Sequence, residues 1–182
     1  MLFEAKQPSP LGLITMVSDG TNLVGLYLEG QKYFCSSIRE KPILQSDLPI
    51  FDVTKDWLKR YFSGKKPEIA SLSLNPAGSE FRHLIWKLLC EIPYGQTTTY
   101  GALAQKASHL LNRPRMSAQA VGGAVAHNPI SIIIPCHRVI GSNGSLTGYA
   151  GGIDRKVKLL QLEGINIDLS DLHVCLPQNV ET

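Results

Sequence analysis

Cys136 and His137 are adjacent, a nucleophile beside a base, and Glu163 lies a short distance on in the chain. The thiolate is the reactive form of cysteine, yet an ordinary thiol titrates at about 8.5 and is only about 3% ionised at pH 7. A histidine that takes the proton removes a handicap of roughly 2 kcal/mol, and a carboxylate on the other ring nitrogen fixes the tautomer and stabilises the cation. Glu163 and Asp154 are the two carboxylates between Glu91 and Asp168, and Glu163, closing a helical run, is the better candidate for that third role. Cys136 follows the β-branched run Ile132-Ile133-Ile134, which Pro135 ends. Neighbouring side chains on a strand face opposite ways, so thiol and imidazole meet through a turn and a bridging water. Cys35, Cys90 and Cys175 lack such a setting and read as small hydrophobes.

The elements that must position these groups fall into two units, 1–75 and 76–182. In the first, Leu2 to Lys6, Leu11 to Val17 and Leu23 to Leu28 read as strands, with Ser18-Asp19-Gly20 as a hairpin turn. From Asp47 the spacing becomes helical, with Ile50, Val53, Trp57 and Tyr61 on one face until Ser63-Gly64, and Ser71 to Leu74 alternates like a further strand. Asn75-Pro76-Ala77-Gly78 breaks the chain. Ser79 then caps a helix with Phe81, Leu84, Ile85, Leu88 and Leu89 inward. A second helix runs from Tyr100 to Leu111 and a third from Ser117 to Ala126. Ser131 to Ile134 reads as a short buried strand, Gly141 to Gly152 as a loop, and Ile153 to Glu163 as a last helix stopped by Gly164.

The third helix contains Gly122-Gly123, and each glycine costs a helix about 1 kcal/mol against alanine, so a close approach should compensate. Either another helix packs tightly there, or the second and third helices form a helix-turn-helix whose small residues enter a DNA groove. Net charge is +3 and the pI about 8.7, too weakly basic to decide. The distribution says more: no carboxylate occurs between Glu91 and Asp154, whereas Lys106, Arg113, Arg115 and Arg138 do, so a surface built from this stretch is positive or neutral. No apolar run is long enough to span a membrane and the N-terminus lacks a signal-peptide pattern. With no Cys-x-x-Cys pair, a cytoplasmic protein with reduced thiols, no membrane partner and no disulfide framework is expected. Cys35 and His83 are isolated from other ligand types, so no metal site and no cofactor are expected.

The run Ile134-Pro135-Cys136-His137-Arg138-Val139, preceded by Ala120-Val121-Gly122-Gly123 and Asn128-Pro129 and followed by Gly144 to Gly152, resembles the O6-methylguanine-DNA methyltransferases. The resemblance spans about Phe81 to Gly164, while the first unit is similar only in its sheet-plus-helix form. It implies an α+β fold, a small ribonuclease H-like N-terminal domain followed by a mostly helical, winged-helix-like domain with a helix-turn-helix. It also implies a monomer acting on double-stranded DNA, in which an O6-alkylguanine, with O4-alkylthymine as a candidate second substrate, is flipped into a pocket and loses its alkyl group to Cys136. On the same resemblance His137 is the base through a water, Glu163 orients it, and Asn128 ties the helix to the active-site turn. Tyr100 rotates the phosphate and donates a proton to the departing base. Val139, Tyr149 and Ala150 read or sandwich the guanine, and Ala120 and Gly123 lie on the recognition helix. Gln119 takes the place of an arginine that fills the gap in the duplex, which predicts slower flipping or weaker binding. The link between the second and third helices, Ala107 to Met116, is long for such proteins, and Arg113 and Arg115 in it are candidate phosphate contacts. The thioether product has no carbonyl for water to attack, so one turnover is expected. Two rivals differ at Cys136: a non-catalytic lesion binder would lack the cysteine, and a cysteine hydrolase leaves the glycine-rich helix unexplained.

Overall fold

The computed structural model describes residues 1–175; 176–182, the end of the second unit, lie outside the described residues. A four-stranded sheet comes first, built from β1 (Phe3–Ser9), β2 (Gly12–Ser18), β3 (Leu23–Leu28) and β4 (Ile43–Leu44), in the order β3-β2-β1-β4. β1 and β2 are antiparallel with Ala5 opposite Met16, as are β2 and β3, whereas β4 runs parallel to β1. The turn after β2 is closed by Asp19, whose Oδ1 accepts from the N–H groups of Thr21 and Asn22 at 3.0 and 2.7 Å. β4 had no sequence signal, being two exposed residues.

Helix α1 (Pro49–Phe62) starts with proline, whose missing N–H costs nothing there. Its buried stripe is Ile50, Phe51, Thr54, Trp57, Leu58 and Tyr61. Val53, expected on that face, is 46% exposed: at 100° per residue it falls one step outside the stripe that Thr54 occupies. Ser71 to Leu74 is not a strand. Ile69–Ser71 form a 3-10 turn and Leu74 makes an isolated bridge to Leu23, while Ile130 takes the same edge of β3 at Leu26.

Next come α2 (Glu80–Cys90), capped by Ser79 Oγ on Arg82 N–H, β5 (Thr98–Thr99), and α3 (Tyr100–Leu110), capped by Thr99. α4 (Ala118–Ala126) is capped by Ser117, and β6 (Val139–Ile140) pairs in parallel with β5. α5 (Ile153–Leu162) precedes a hairpin of β7 (Ile167–Asp168) and β8 (His173–Val174). α2 supports the α3–α4 pair, with Trp86 Nε1 donating to Ala124 O at 2.9 Å. One hydrophobic core runs through sheet, α1, α2, α3 and α4 alike.

Ser131 to Ile134 is a turn, contrary to the strand expected. All four residues are buried, but Ile132 has φ +70°, a strained value for a β-branched residue. Ile130 bridges to Leu26 at the edge of β3, after which Ile134 N–H returns to Ile130 O at 3.1 Å. An apolar run this short signals burial without specifying a ladder. No helix among the described residues is long and apolar enough to cross a membrane.

Candidate active site

The turn at Ile132 aims Cys136. The residue opens a 3-10 turn, Cys136–Arg138, with Pro135 before it, and its side chain is only 4% exposed. Asn128 Nδ2 donates to Cys136 Sγ at 3.1 Å and to Ile134 O at 2.8 Å, while Asn128 Oδ1 accepts from Ile130 N–H at 3.0 Å. One amide therefore fastens the end of α4, the Ile132 turn and the sulfur. Burial pushes the Cys136 thiol up, against the pull of Asn128, the Lys156 charge and the backbone N–H groups of Cys136 and His137. The resting group is a thiol that needs a base.

His137 is fully buried, and Nε2 lies 2.7 Å from Glu163 Oε1. Glu163 also accepts from Tyr61 Oη at 2.7 Å, Gly95 N–H at 3.0 Å, and Arg138 Nε and Nη2 at 2.8 and 3.0 Å. Burial alone would raise this carboxyl, but His137 and Arg138 outweigh it and hold the pKa at about 2. Arg138 is the member of the pair whose charge is permanent, so the carboxylate is ionised whatever the state of the imidazole. Burial lowers the His137 pKa, with Glu163 opposing and Arg138 and Lys156 adding to the fall, so the imidazole is neutral at rest. An ionised Glu163 accepts at Nε2, which places the proton there and leaves Nδ1 a bare lone pair. Nδ1 is buried with no partner among the described residues. No direct hydrogen bond joins the Cys136 and His137 side chains among the described residues.

A cavity of about 590 Å³ opens beside this cluster, lined by both chain halves: Lys32 and Tyr33 from the loop after β3, Tyr100 from α3, Gln119, Gly122 and Gly123 from α4, and the segment Thr147 to Ala150. That volume is in the range of small-molecule sites. Tyr100 Oη donates to Thr147 O and Gly148 O at 3.2 and 3.1 Å, and burial raises its pKa to about 12, the Cys136 charge adding to it. Tyr149, 7% exposed, is raised well above its usual value by burial and Cys136. Gly148 has φ +68°, and a Cβ there would sit 3.1 Å from Tyr100 Oη, so glycine suits this close approach.

Of the residues singled out from the sequence, Tyr100, Gln119, Gly123, Tyr149 and Ala150 share this cavity, and Cys136, His137, Glu163 and Asn128 share the buried cluster. Ala120 is exposed on α4 outside the lining, and Val139 is fully buried with its carbonyl bound to Lys156. Arg113 and Arg115 are exposed in the link before α4, away from the cavity. A Cβ on Gly123 would meet nothing within 4 Å, and one on Gly122 only the Tyr100 ring at 3.8 Å, so tight helix packing does not explain the pair. Arg138 and Lys106, which the sequence suggested for a positive surface, are bound by Glu163 and Glu91.

Sequence reasoning did not place Arg138, Tyr61, Lys156, Tyr33 or Lys32 at the site. Arg138 was signalled by its adjacency to Cys-His. Tyr61 looked like one more core position on an amphipathic helix, and Tyr33 carries no pattern at all. It adopts φ +58° and stacks on His127 with ring centroids 4.0 Å apart.

Fold and site together define a class: an α+β protein in which a buried thiol, imidazole and carboxylate lie behind an open cavity rimmed by a helix pair. Within that class the chain belongs to the 6-O-methylguanine DNA methyltransferase family, whose ribonuclease-like domain matches residues 2–76 and whose DNA binding domain matches residues 80–165. It is 41% identical over 164 residues to the methylated-DNA--protein-cysteine methyltransferase of Haemophilus influenzae, covering 90% of this chain and 87% of that one. The Mycobacterium tuberculosis O6-methylguanine methyltransferase crystal structure superposes with a TM-score of 0.75 at 37% identity, covering 93% and 98% of the two chains. A crystal structure of Mycobacterium tuberculosis OGT in complex with DNA superposes with a TM-score of 0.76 at 39% identity, over 89% and 93%.

Proposed function

We propose that this chain repairs DNA by moving the alkyl group of O6-alkylguanine onto Cys136 Sγ, once per molecule. The observation that carries the reading is the orientation of His137: Nε2 is committed to an ionised Glu163, so the basic nitrogen is Nδ1, buried and without a partner among the described residues, on the residue that follows a thiol Asn128 already holds. The Cys136 proton passes to Nδ1 through a water, Sγ attacks the first carbon of the alkyl group, and the C–O6 bond breaks with its electron pair left on the guanine. Charge forms on sulfur where the Asn128 amide already points, so little reorganisation is needed.

The departing guanine anion takes a proton from Tyr100. At rest that hydroxyl faces the Thr147 and Gly148 carbonyls, so its donation requires it to leave them for the base. The flipped nucleotide enters the cavity, where Tyr149 and Ala150 supply its walls, with the buried Val139 behind them. Ala120 and Gly123 give α4 a face low enough to approach the duplex, Gln119 reaches toward the orphaned base, and Arg113 and Arg115 hold phosphates. The partner is double-stranded DNA bound by a monomer, with O4-alkylthymine as a second substrate. The free Cys35, Cys90 and Cys175 suit the reducing cytoplasm.

Single-turnover kinetics test the reading. With a duplex carrying O6-methylguanine in tenfold excess, repaired guanine should rise to one equivalent of protein and stop, and Cys136→Ala should retain binding with no repair. Continued turnover, or repair by Cys136→Ala, contradicts it.

A further inference from the structure

Three basic side chains belong to the Cys136 turn or bond to its end, His137, Arg138 and Lys156, and they are not equivalent. Arg138 is neutralised by Glu163, and His137 is uncharged at rest. Lys156, on α5, is 0% exposed and forms no salt bridge with any described carboxylate. Its Nζ donates to Val139 O at 2.5 Å and Thr147 O at 3.0 Å. Val139 leaves the Cys136 turn, and Thr147 opens the cavity loop, where its carbonyl also receives Tyr100 Oη. One ammonium thus joins the segment that carries the nucleophile to the segment that forms the pocket.

A buried ammonium without an anion is costly, and the usual escape is loss of the proton. Burial does bring Lys156 down to about 8, and the group that opposes the fall is Cys136. The groups that answer to this charge are Cys136 and His137 on the 3-10 turn; around the cavity Tyr100 and Tyr149 also feel the thiol, and Arg155 on α5 faces Tyr149 while donating to Leu11 O and Gly151 O. Toward Cys136 the Lys156 charge favours the thiolate. Toward His137 it disfavours a second cation, which keeps the imidazole an empty base until a proton is delivered.

We infer that Lys156 is a positioning residue for the transfer: its charge favours ionisation of Cys136, while its two carbonyl bonds hold the Thr147 to Tyr149 loop against the nucleophile's turn. The purpose of that arrangement rests on the alkyl-transfer reading, but the ionisation it controls is measurable without DNA. In a Cys35→Ser, Cys90→Ser, Cys175→Ser background, the ultraviolet thiolate absorbance of Cys136 is titrated for the parent, Lys156→Met and Lys156→Arg. Lys156→Met should raise the midpoint by about one pH unit, and Lys156→Arg should restore most of it. Iodoacetamide alkylation of Lys156→Met at pH 7 should slow about threefold, since tenfold less thiolate is partly offset by its greater nucleophilicity. A purely structural role would lower thermal stability and leave the midpoint where it was, and that result in folded Lys156→Met overturns the inference. If Lys156→Met does not fold, nitrogen NMR of Lys156 Nζ in the otherwise unaltered chain decides. Methylation of Cys136 by iodomethane removes the thiolate and should lower the ammonium's midpoint, whereas an unmoved midpoint overturns the inference. Both readouts can fail while repair of DNA stands, and both can succeed if repair fails.

Discussion

The Cys136 cluster and the α4 face lie side by side and are built on opposite terms. In the cluster, Glu163 accepts bonds from Tyr61, Gly95, His137 and Arg138 with almost no solvent contact. On α4 the exposed residues are Ala118, Gln119, Ala120 and Gly123, with no charge at all. In a low-dielectric interior the Glu163 and Arg138 charges compensate each other on the spot, so this part of the chemistry is fixed by the protein alone. A bare face compensates nothing and is left complete only by what docks on it. Substitutions in the cluster should therefore cost both folding and rate, and substitutions on α4 should change rate alone.

The largest effect is expected at Glu163. Glu163→Gln strands the buried Arg138 guanidinium and should cost about 3–5 kcal/mol in urea unfolding, together with most of the transfer rate. A loss under 1 kcal/mol would mean the cluster is not self-compensating. Acid provides a second route to the same bonds. His137 and Glu163 are both depressed below their unfolded values of about 6.5 and 4.5, so the folded chain binds fewer protons than the unfolded one. Stability is then fully present above about pH 6.5 and falls below it, with a Glu163 contribution on the order of 3 kcal/mol lost between about pH 4.5 and 2. Unfolding free energies across that range should show the decline, and Glu163→Gln should flatten its lower part; a profile with no slope below pH 6 would refute both shifts.

Asn128→Ala removes the donor to Sγ and the tie to the Ile132 turn, and should slow alkylation of Cys136 about tenfold with a loss of about 1–3 kcal/mol, since it leaves buried backbone groups unpaired. Equal rates for the variant and its parent would remove Asn128 from the account. The smallest effect is expected on α4. Gln119→Arg should raise the second-order repair constant a fewfold while thermal stability and iodoacetamide reactivity stay unchanged; a change in stability would erase the contrast between the two regions.

The same contrast governs what could be read from the sequence. Cys136, His137 and Glu163 were legible because a nucleophile, a base and a scarce carboxylate have chemical meaning as types. Strands β1 to β3 and the helices α1 to α5 are legible from apolar pattern, caps and stops, whereas β4 is not. Arg138 was misread as surface because charge alone suggests solvent, and only the fold brings Glu163 back across 25 residues to meet it. Tyr61, 102 residues from Glu163, was hidden for the same reason: a polar tip on a core aromatic is invisible to periodicity. Ser131 to Ile134 reads as a strand in sequence because burial and β-branching do not specify hydrogen-bond partners, and the left-handed Ile132 follows from the Asn128 bonds and the docking of Ile130 on β3.

The location of the transferred group tests the central claim most directly. After reaction with excess duplex containing O6-methylguanine, peptide mass mapping should find one methyl group on the peptide holding Cys136 and none on those holding Cys35, Cys90 or Cys175, unchanged on longer incubation. A methyl group on another cysteine, or an unmodified Cys136 in protein that has repaired its substrate, would contradict the account.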